Sequence, residues 1–273
     1  MPDTTELPTR PAMSLSPSRA SDFQSCPLLY RFRVLDRLPE PPSPAAVRGT
    51  LVHAVLEAVY DLPADRRTLD EAVALLAPQW QALVEERPEV VGMLAEAGTD
   101  EATWLRGAGD LVEAYFGMED PRRLEPAARE LRVEAQLPSG LVLRGFVDRL
   151  DQAPTGQLRV VDYKTGKPPT VGYEAKAMFQ MRFYALAIWR MRGEVPTLLQ
   201  LMYLATGAVL RYEPDEHDLL AMERKLDALW RAIQRAMETG DWRASPSALC
   251  QWCAHQALCP AWGGTPPPLP AEE

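Results

Sequence analysis

A chain of 273 residues with 47% hydrophobic residues is long enough to bury one large core or two smaller ones. Its net charge of −9 is moderate, no segment reaches the roughly 18 to 20 consecutive apolar residues of a membrane span, and the first residues lack the charged and apolar regions of a signal peptide. The sequence therefore argues against a membrane or secreted protein, and we expect a cytoplasmic location.

The N-terminal part of the chain predicts a short tail followed by a helix. Residues 1–13 are polar and contain prolines, which is typical of a disordered segment. Ser16 is a suitable N-cap, and Pro17 fits the first turn of a helix that continues to about Phe32. Because Pro27 falls inside this helix, we expect a bend there.

A second helix is predicted from Arg48 to Tyr60, after a proline-rich connector over residues 38–44. Its apolar stripe has helical spacing and consists of Leu51, Val52, Val55, Leu56 and Val59. His53 and Glu57 are four residues apart and share one face of the helix. A single histidine on a helix is usually a structural residue, and the spacing alone favours that interpretation.

Residues 61–128 are predicted to form an acidic helical insert. Residues 61–130 hold seven basic and sixteen acidic side chains, which accounts for the whole negative surplus of the chain. Since the remainder is neutral, the net charge does not argue against a polyanionic partner. A solvated helical face explains the acidic segment without a further function.

Three consecutive antiparallel strands are predicted after this segment. The strands cover residues 131–137, 141–150 and 158–163. The alternation of apolar and polar residues stops between them at two turn sequences, Pro138-Ser139-Gly140 and Pro154-Thr155-Gly156. The sequence therefore predicts a meander of antiparallel strands.

The turn near Thr155 brings three charged side chains together. It places Asp148 opposite Asp162, and Lys164 leaves the same face of its strand as Asp162. Like charges opposed across strands destabilise a sheet, a conflict that bound Mg²⁺ or Mn²⁺ would resolve. Lys164 would then stabilise negative charge or position a water beside the metal. A surface hairpin with a solvated Asp/Lys pair is an equally good interpretation of the spacing alone.

The remaining part of the chain predicts a helix, a hairpin and another helix. The first helix covers residues 173–191 and places Gln180 and Tyr184 on one face. The hairpin strands, expected to extend the sheet, and the last helix cover residues 198–204, 209–212 and 218–238. We expect the proline-rich segment 263–273 to be disordered.

Four cysteines occur in the chain, and three of them are closely spaced. They are Cys26 and the group of Cys250, Cys253 and Cys259. In a cytoplasmic chain this spacing indicates metal ligation rather than disulfides, and Cys26 is a fourth ligand only if the two ends of the chain meet. Four thiolates suit Zn²⁺ or an iron-sulfur cluster, and the spacing does not decide between them.

Two segments of the predicted meander resemble motifs II and III of the PD-(D/E)XK nuclease superfamily, in its RecB-like branch. They are GFVDRLD, with Asp148, and DYKTG, with Asp162 and Lys164. The resemblance reverses the interpretation of His53, since GTLVH matches the GxxxH element of the RecB-like branch. It implies that His53 is a metal ligand beside the two aspartates.

The same resemblance extends to the helix after the meander and to the cysteines. Gln180 and Tyr184 match a QxxxY element that the family uses for nucleic acid and water positioning. One cysteine ahead of the motifs and a C-x2-C-x5-C-P group after them is similar to the iron-sulfur nucleases, including the AddB-type subunit of helicase-nucleases and the CRISPR adaptation nuclease. This implies a structural [4Fe-4S] cluster held by Cys26, Cys250, Cys253 and Cys259.

We therefore expect one nuclease domain over residues 14–262, with the cysteine segment 250–259 closing the chain ends. The resemblance implies an α/β restriction-endonuclease-like core whose mixed sheet is flanked by helices. It also implies a Mg²⁺- or Mn²⁺-dependent deoxyribonuclease, an exonuclease on single-stranded or resected DNA ends in DNA repair or recombination. The expected catalytic residues are Asp148, Asp162, Lys164, Gln180 and Tyr184.

Two other functions are compatible with parts of the sequence. The first is a catalytically silent DNA-binding or scaffold subunit of a helicase-nuclease or CRISPR adaptation complex, and the second is an iron-sulfur redox protein. The presence of both aspartates and the lysine argues against each of them. Since the sequence has no GxxxxGK[ST] pattern, the chain is expected to act alone or with a helicase partner.

Overall fold

A six-stranded mixed sheet forms the centre of the computed structural model, which describes residues 14–168 and 174–270. The strands are β1 (Ser14–Leu15), β2 (Ala128–Gln136), β3 (Val142–Gln152), β4 (Leu158–Lys164), β5 (Leu198–Tyr203) and β6 (Ala208–Tyr212). Their order is β1, β3, β4, β5, β6, with β2 also paired to β3. The pairs β1/β3 and β4/β5 are parallel and the others antiparallel, which confirms the predicted mixed sheet flanked by helices.

The hairpin between β3 and β4 has the predicted register. Arg149 pairs with Val161 and Leu150 with Val160, as the turn predicts, and the paired positions end one residue short of Asp148 and Asp162. The hairpin between β5 and β6 also forms as predicted and extends the sheet. The two-residue strand β1 was not predicted, because so short a segment has no alternation to detect.

One face of the sheet is covered by the helices that follow the N-terminal region. These are α3 (Pro44–Val59), α4 (Leu69–Ala74), α5 (Leu76–Glu86), α6 (Glu89–Glu96) and α7 (Glu101–Met118). Helix α3 begins four residues before the predicted Arg48, because the Ser43 hydroxyl accepts from the Ala46 N–H and caps it. The helices of the acidic segment share one hydrophobic core with α3 and with Val161, Tyr163 and Met202 of the sheet.

The opposite face is covered by both ends of the chain. Its helices are α1 (Pro17–Ser25), α2 (Pro27–Tyr30), a π-helical turn (Arg31–Leu35), α8 (Glu174–Arg192) and α9 (Glu216–Thr239). The prediction of one bent helix to Phe32 is wrong, because Cys26 is extended, with φ −162° and ψ 112°, and separates α1 from α2. Proline disfavours the helical conformation of the residue that precedes it. Pro27 therefore interrupts the helix at Cys26 instead of bending it.

The C-terminal segment contains three short 3₁₀ helices, Ala248–Trp252, Gln256–Leu258 and Pro260–Trp262. Beyond them, in the segment predicted to be disordered, the Pro267 carbonyl oxygen accepts a hydrogen bond from the Arg31 guanidinium. The predicted tail over residues 1–13, the helix start at Tyr173 and the last residues, 271–273, lie outside the described residues. Among the helices in the described ranges, none combines the length and apolar character needed to cross a bilayer.

Candidate active site

Strand β4 and helix α8 form a connected group of polar side chains. Lys164 Nζ lies 2.6 Å from Asp162 Oδ2 and donates to Gln180 Oε1 at 2.9 Å. Gln180 Nε2 in turn donates to Asp162 Oδ1 at 2.8 Å and lies 3.2 Å from the Tyr184 hydroxyl. The structure therefore brings four of the five predicted catalytic residues into one group, with the lysine ammonium fixed by two partners.

Helix α3 brings His53 to the other side of the same strand. His53 Nε2 donates to the Tyr163 carbonyl oxygen at 2.9 Å, since that oxygen can only accept. Its other ring nitrogen, Nδ1, lies 3.4 Å from Asp148 Oδ2, and this carboxylate also accepts from the Tyr163 N–H at 2.7 Å. His53 and Asp148, both predicted as site residues, therefore meet beside the Asp162 and Lys164 strand.

A residue that the sequence analysis did not predict, Glu130, completes this group. The donor atoms of His53, Glu130 and Asp148 all lie within 4.8 Å of one another. Arg129 pairs with Arg149 and Leu131 with Val147, so Glu130 falls opposite Asp148 in the hairpin between β2 and β3. The turn at Pro138-Ser139-Gly140 predicts this pairing, by the same register argument that placed Asp148 opposite Asp162.

The carboxylates of this group repel one another, because they lie close together and are partly or fully shielded from solvent. Asp162 is only 1% exposed, and burial, together with the charge of Asp148, raises its pKa to about 6 despite the opposing effect of Lys164. Burial also raises the pKa of Glu130, and the charges of Asp148 and Glu57 add to this. Burial alone would lower the pKa of His53, but the hydrogen bond and charge of Asp148 outweigh it, so that pKa is raised.

A buried arginine lies behind these residues. Arg149, next to Asp148 in β3, is 1% exposed, and its Nη1 donates to three tyrosine hydroxyls at 2.8 to 3.2 Å. They belong to Tyr60, Tyr115 and Tyr163. Its other nitrogens bind Glu119 Oε2 at 2.7 Å and Asp151 Oδ1 at 3.1 Å. One guanidinium thereby joins β3 to the ends of α3 and α7 and to β4.

Two cavities adjoin the site and meet at Lys164. The first, of about 630 Å³, lies on the α3 side and is lined by His53, Glu57, Glu130 and Lys164, among others. The second, of about 440 Å³, lies on the α1 and α8 side and is lined by Lys164, Gln180, Tyr184 and Phe146, among others. The lysine is therefore accessible from both sides of the site.

The four cysteines line one cavity of about 290 Å³. The two ends of the chain do meet there, because the Ser245 N–H lies 3.4 Å from Cys26 Sγ and the Leu28 N–H donates to the Arg243 carbonyl. Within the described residues, however, no three of the sulfur atoms lie within 4.8 Å of one another. The thiols thus face a common space without converging on a single point.

Comparisons with known proteins agree with this arrangement. A model of the PD-(D/E)XK nuclease superfamily matches residues 14–260. Gene 69 protein of Mycobacterium phage D29 is 31% identical over 196 residues, covering 63% of this chain and 68% of the phage protein. A crystal structure from Eubacterium rectale, described as a candidate exonuclease, has a TM-score of 0.57 over 89% of this chain and 87% of the other. Because the two sequences are only 12% identical, the similarity between these two proteins is one of fold alone.

Proposed function

Because this chain belongs to the PD-(D/E)XK nuclease superfamily, we propose that it is a deoxyribonuclease that depends on Mg²⁺ or Mn²⁺. The observation that carries the proposal is the position of Lys164, fixed between Asp162 and Gln180 beside the group of His53, Glu130 and Asp148. We further propose an exonuclease on single-stranded or resected DNA ends, acting in repair or recombination in the cytoplasm, alone or with a helicase.

The donor set fits a divalent cation. Because His53 Nε2 donates to the Tyr163 carbonyl, the neutral ring carries its lone pair on Nδ1, directed toward Asp148 Oδ2 at 3.4 Å. Despite burial, Asp148 raises the pKa of His53 and so favours a positive charge at Nδ1, which a proton supplies in the metal-free protein and a divalent cation bound to both groups would supply instead. Neighbouring ligands on one Mg²⁺ are about 3 Å apart, so little movement is needed.

The residues that would hold the ion are His53, Asp148 and Asp162, together with Glu130. A metal-bound histidine usually donates its other ring N–H to a carbonyl or carboxylate, which is the bond that His53 makes to Tyr163. When bound, a divalent cation supplies an activated water and neutralises charge on the scissile phosphate. Carboxylates whose pKa is raised by burial and by neighbouring negative charges, as in Asp162 and Glu130, gain most from a nearby positive charge.

The side chains themselves contribute orientation and charge. Lys164 carries an ammonium whose direction is set by Gln180 and Asp162, so it meets a phosphate oxygen or the attacking water without reorganisation. Gln180 holds Asp162 and Lys164 in one geometry, and the Tyr184 hydroxyl oxygen accepts a hydrogen bond from Gln180 Nε2 at the cavity wall. We therefore assign Lys164 to transition-state stabilisation and Gln180 to positioning.

The RecB-like, iron-sulfur branch is part of the same proposal. Cys26, Cys250, Cys253 and Cys259 would hold a [4Fe-4S] cluster in the cavity that all four line. Within the described residues no three of these sulfur atoms lie within 4.8 Å of one another, whereas sulfur atoms of a tetrahedral zinc site lie roughly 3.8 Å apart, given Zn–S bonds of about 2.3 Å. A cluster there would fasten the two ends of the chain.

Cleavage of end-labelled DNA tests the proposed function. The substrates are linear single-stranded, linear duplex and circular single-stranded DNA, with Mg²⁺ or Mn²⁺, using the wild type beside Asp162→Ala. We expect the wild type to degrade linear DNA and spare the circle, and the variant to do neither. Cleavage of the circle would contradict the exonuclease assignment. A wild type that binds DNA without cutting any substrate would favour the silent DNA-binding subunit.

A further inference from the structure

The two cavities that meet at Lys164 differ in charge. The cavity on the α3 side, defined above by His53 and Glu130, contains the carboxylates of Glu57 and Glu130. The cavity on the α1 and α8 side contains no acidic side chain among the described residues that line it. A nucleic-acid strand is a polyanion, so it is accommodated better in the second cavity, whereas the first attracts cations.

The second cavity also offers the groups that a nucleotide requires. Ser16, Ser18 and Ser21 of the α1 region bring three hydroxyls to its wall, and Lys164 lies at its inner end. Hydroxyls and a lysine are common partners of phosphate oxygens. Its volume of about 440 Å³ lies in the range of pockets that enclose a small ligand.

One aromatic side chain at this cavity is not part of the hydrophobic cores that the described residues form. Phe146 of β3 is 56% exposed, whereas the neighbouring Val147 is fully buried. Phe146 lies two residues before Asp148 in sequence. It lines the cavity together with Gln180 and Tyr184. An exposed aromatic residue at the wall of this cavity can stack on a base, since every base offers a flat apolar face.

We propose that Phe146 stacks on a nucleobase of a single strand that runs through this cavity to Lys164. This inference rests on the proposed nuclease function and adds the path of the substrate. In a duplex the bases are paired and stacked on each other, so a single ring reaches a base face only where the strand is unpaired. The site therefore favours single-stranded substrate or the unpaired end of a duplex.

Binding of fluorescent oligo(dT) in buffer with EDTA tests this proposal without cleavage. The proteins are the wild type, Phe146→Ala, Phe146→Leu and Phe146→Trp, with Val209→Ala as the matched control. Val209 is also an exposed apolar strand residue, 36% exposed, but it lies on β6 away from the cavity. We expect Phe146→Ala and Phe146→Leu to weaken binding about 5- to 100-fold, and Phe146→Trp and Val209→Ala to leave it within about twofold.

A series of oligonucleotides with one abasic position locates the contact. At one position, loss of the base is expected to weaken binding to the wild type but not to Phe146→Ala, because the partner of that base is already missing. Unchanged binding by Phe146→Ala, or a loss that no abasic position reproduces, would overturn the stacking role. If wild-type cleavage remains in that case, only this inference fails. If the wild type neither binds nor cleaves DNA, the proposed function fails with it.

Discussion

Glu130 has a backbone φ of 41°, a conformation that residues other than glycine rarely adopt. Such strain costs on the order of 1–3 kcal/mol and persists where the surroundings impose it. Here the strained residue lies opposite Asp148, and its carboxylate lies within 4.8 Å of the donor atoms of His53 and Asp148. The strain at a residue that faces this group supports the proposed role of Glu130 as a metal ligand.

Replacing Glu130 is therefore expected to weaken metal binding. In Glu130→Gln the shape is kept but one negative donor is lost, and we expect Mn²⁺ to bind about 10- to 100-fold more weakly in isothermal titration calorimetry. Glu57→Gln is the matched control, because Glu57 is exposed at the wall of the same cavity. Equal Mn²⁺ affinity in wild type and Glu130→Gln would exclude Glu130 as a ligand.

Asp162 makes the metal-free protein sensitive to pH. Its pKa is about 6 in the folded chain and roughly 3.9 when unfolded, so the folded state binds more protons between these values. The free energy of unfolding therefore falls as pH rises through this window. Asp162→Asn removes the effect, and in EDTA at pH 7.5 we expect it to be more stable than the wild type by about 1–3 kcal/mol in urea unfolding.

The difference between Asp162→Asn and the wild type should disappear below about pH 4, where the aspartic acid is protonated in both states. It should also shrink when Mn²⁺ is added to the wild type at pH 7.5, because a bound cation stabilises the charged carboxylate. A variant less stable than the wild type at pH 7.5 in EDTA would show that the hydrogen bonds of Asp162 outweigh the cost of its buried charge.

Among the elements, β3 connects the site to the rest of the fold through Arg149. The guanidinium contacts the end of α3, which carries His53, and β4, which carries Asp162 and Lys164. Arg159 contacts the same carboxylates, Glu119 and Asp151, but its side chain is 26% exposed, against 1% for Arg149. The two arginines therefore differ in burial, and Arg149, unlike Arg159, also donates to tyrosine hydroxyls.

Loss of Arg149 is expected to cost far more stability than loss of Arg159. Arg149→Met removes the buried partner of Glu119 and one hydrogen-bond partner of three tyrosine hydroxyls, of which Tyr60 and Tyr115 still bond each other, and we expect a loss of about 3–5 kcal/mol in urea unfolding. Arg159→Met removes a partly exposed ion pair and should cost about 1 kcal/mol or less. Similar losses for both variants would mean that the tyrosine contacts contribute little.

The elements also show how far local sequence rules reach. The turn at Thr155 sufficed to predict the pairing of Arg149 with Val161, one position from Asp148 and Asp162, because the register of a two-stranded hairpin is determined by its turn. The same rule applied at Ser139 finds Glu130. Cys26 before Pro27 contained the signal for a broken helix, which the expectation of a bend overlooked. The contact of α3 with β4, which brings His53 to Asp148, is long-range and has no local signal.

For the whole molecule, the sheet divides two hydrophobic cores, and the chain ends meet on one side. Cys26, Cys250, Cys253 and Cys259 line a cavity there, while Tyr30 stacks on Trp242 across the same junction with ring centroids 6.0 Å apart. The resemblance to the iron-sulfur nucleases implied that the ends meet, but not the width of the space between the thiols, which depends on the packing of both segments.

Removal of one thiol is expected to destabilise this junction. Cys253→Ser, purified without oxygen, should lack the visible absorbance and the iron that the proposed cluster would give the wild type, and should unfold at a lower temperature, since a bound metal group contributes folding free energy. Ala254→Ser is the control, because Ala254 is the exposed neighbour. Zinc instead of iron in the wild type, or no metal at all, would contradict the proposed cluster.

Lys164, at the meeting point of both cavities, is the residue that we propose to act on the phosphate. Single-turnover cleavage of linear single-stranded DNA with saturating Mn²⁺, by wild type, Lys164→Ala and Lys167→Ala, tests this role most directly. Lys167 is an exposed lysine three residues further along the chain and serves as the control. We expect Lys164→Ala to be slower by about 10²- to 10³-fold with Mn²⁺ affinity nearly unchanged, and Lys167→Ala to match the wild type. A Lys164→Ala protein that cleaves at the wild-type rate would contradict the account.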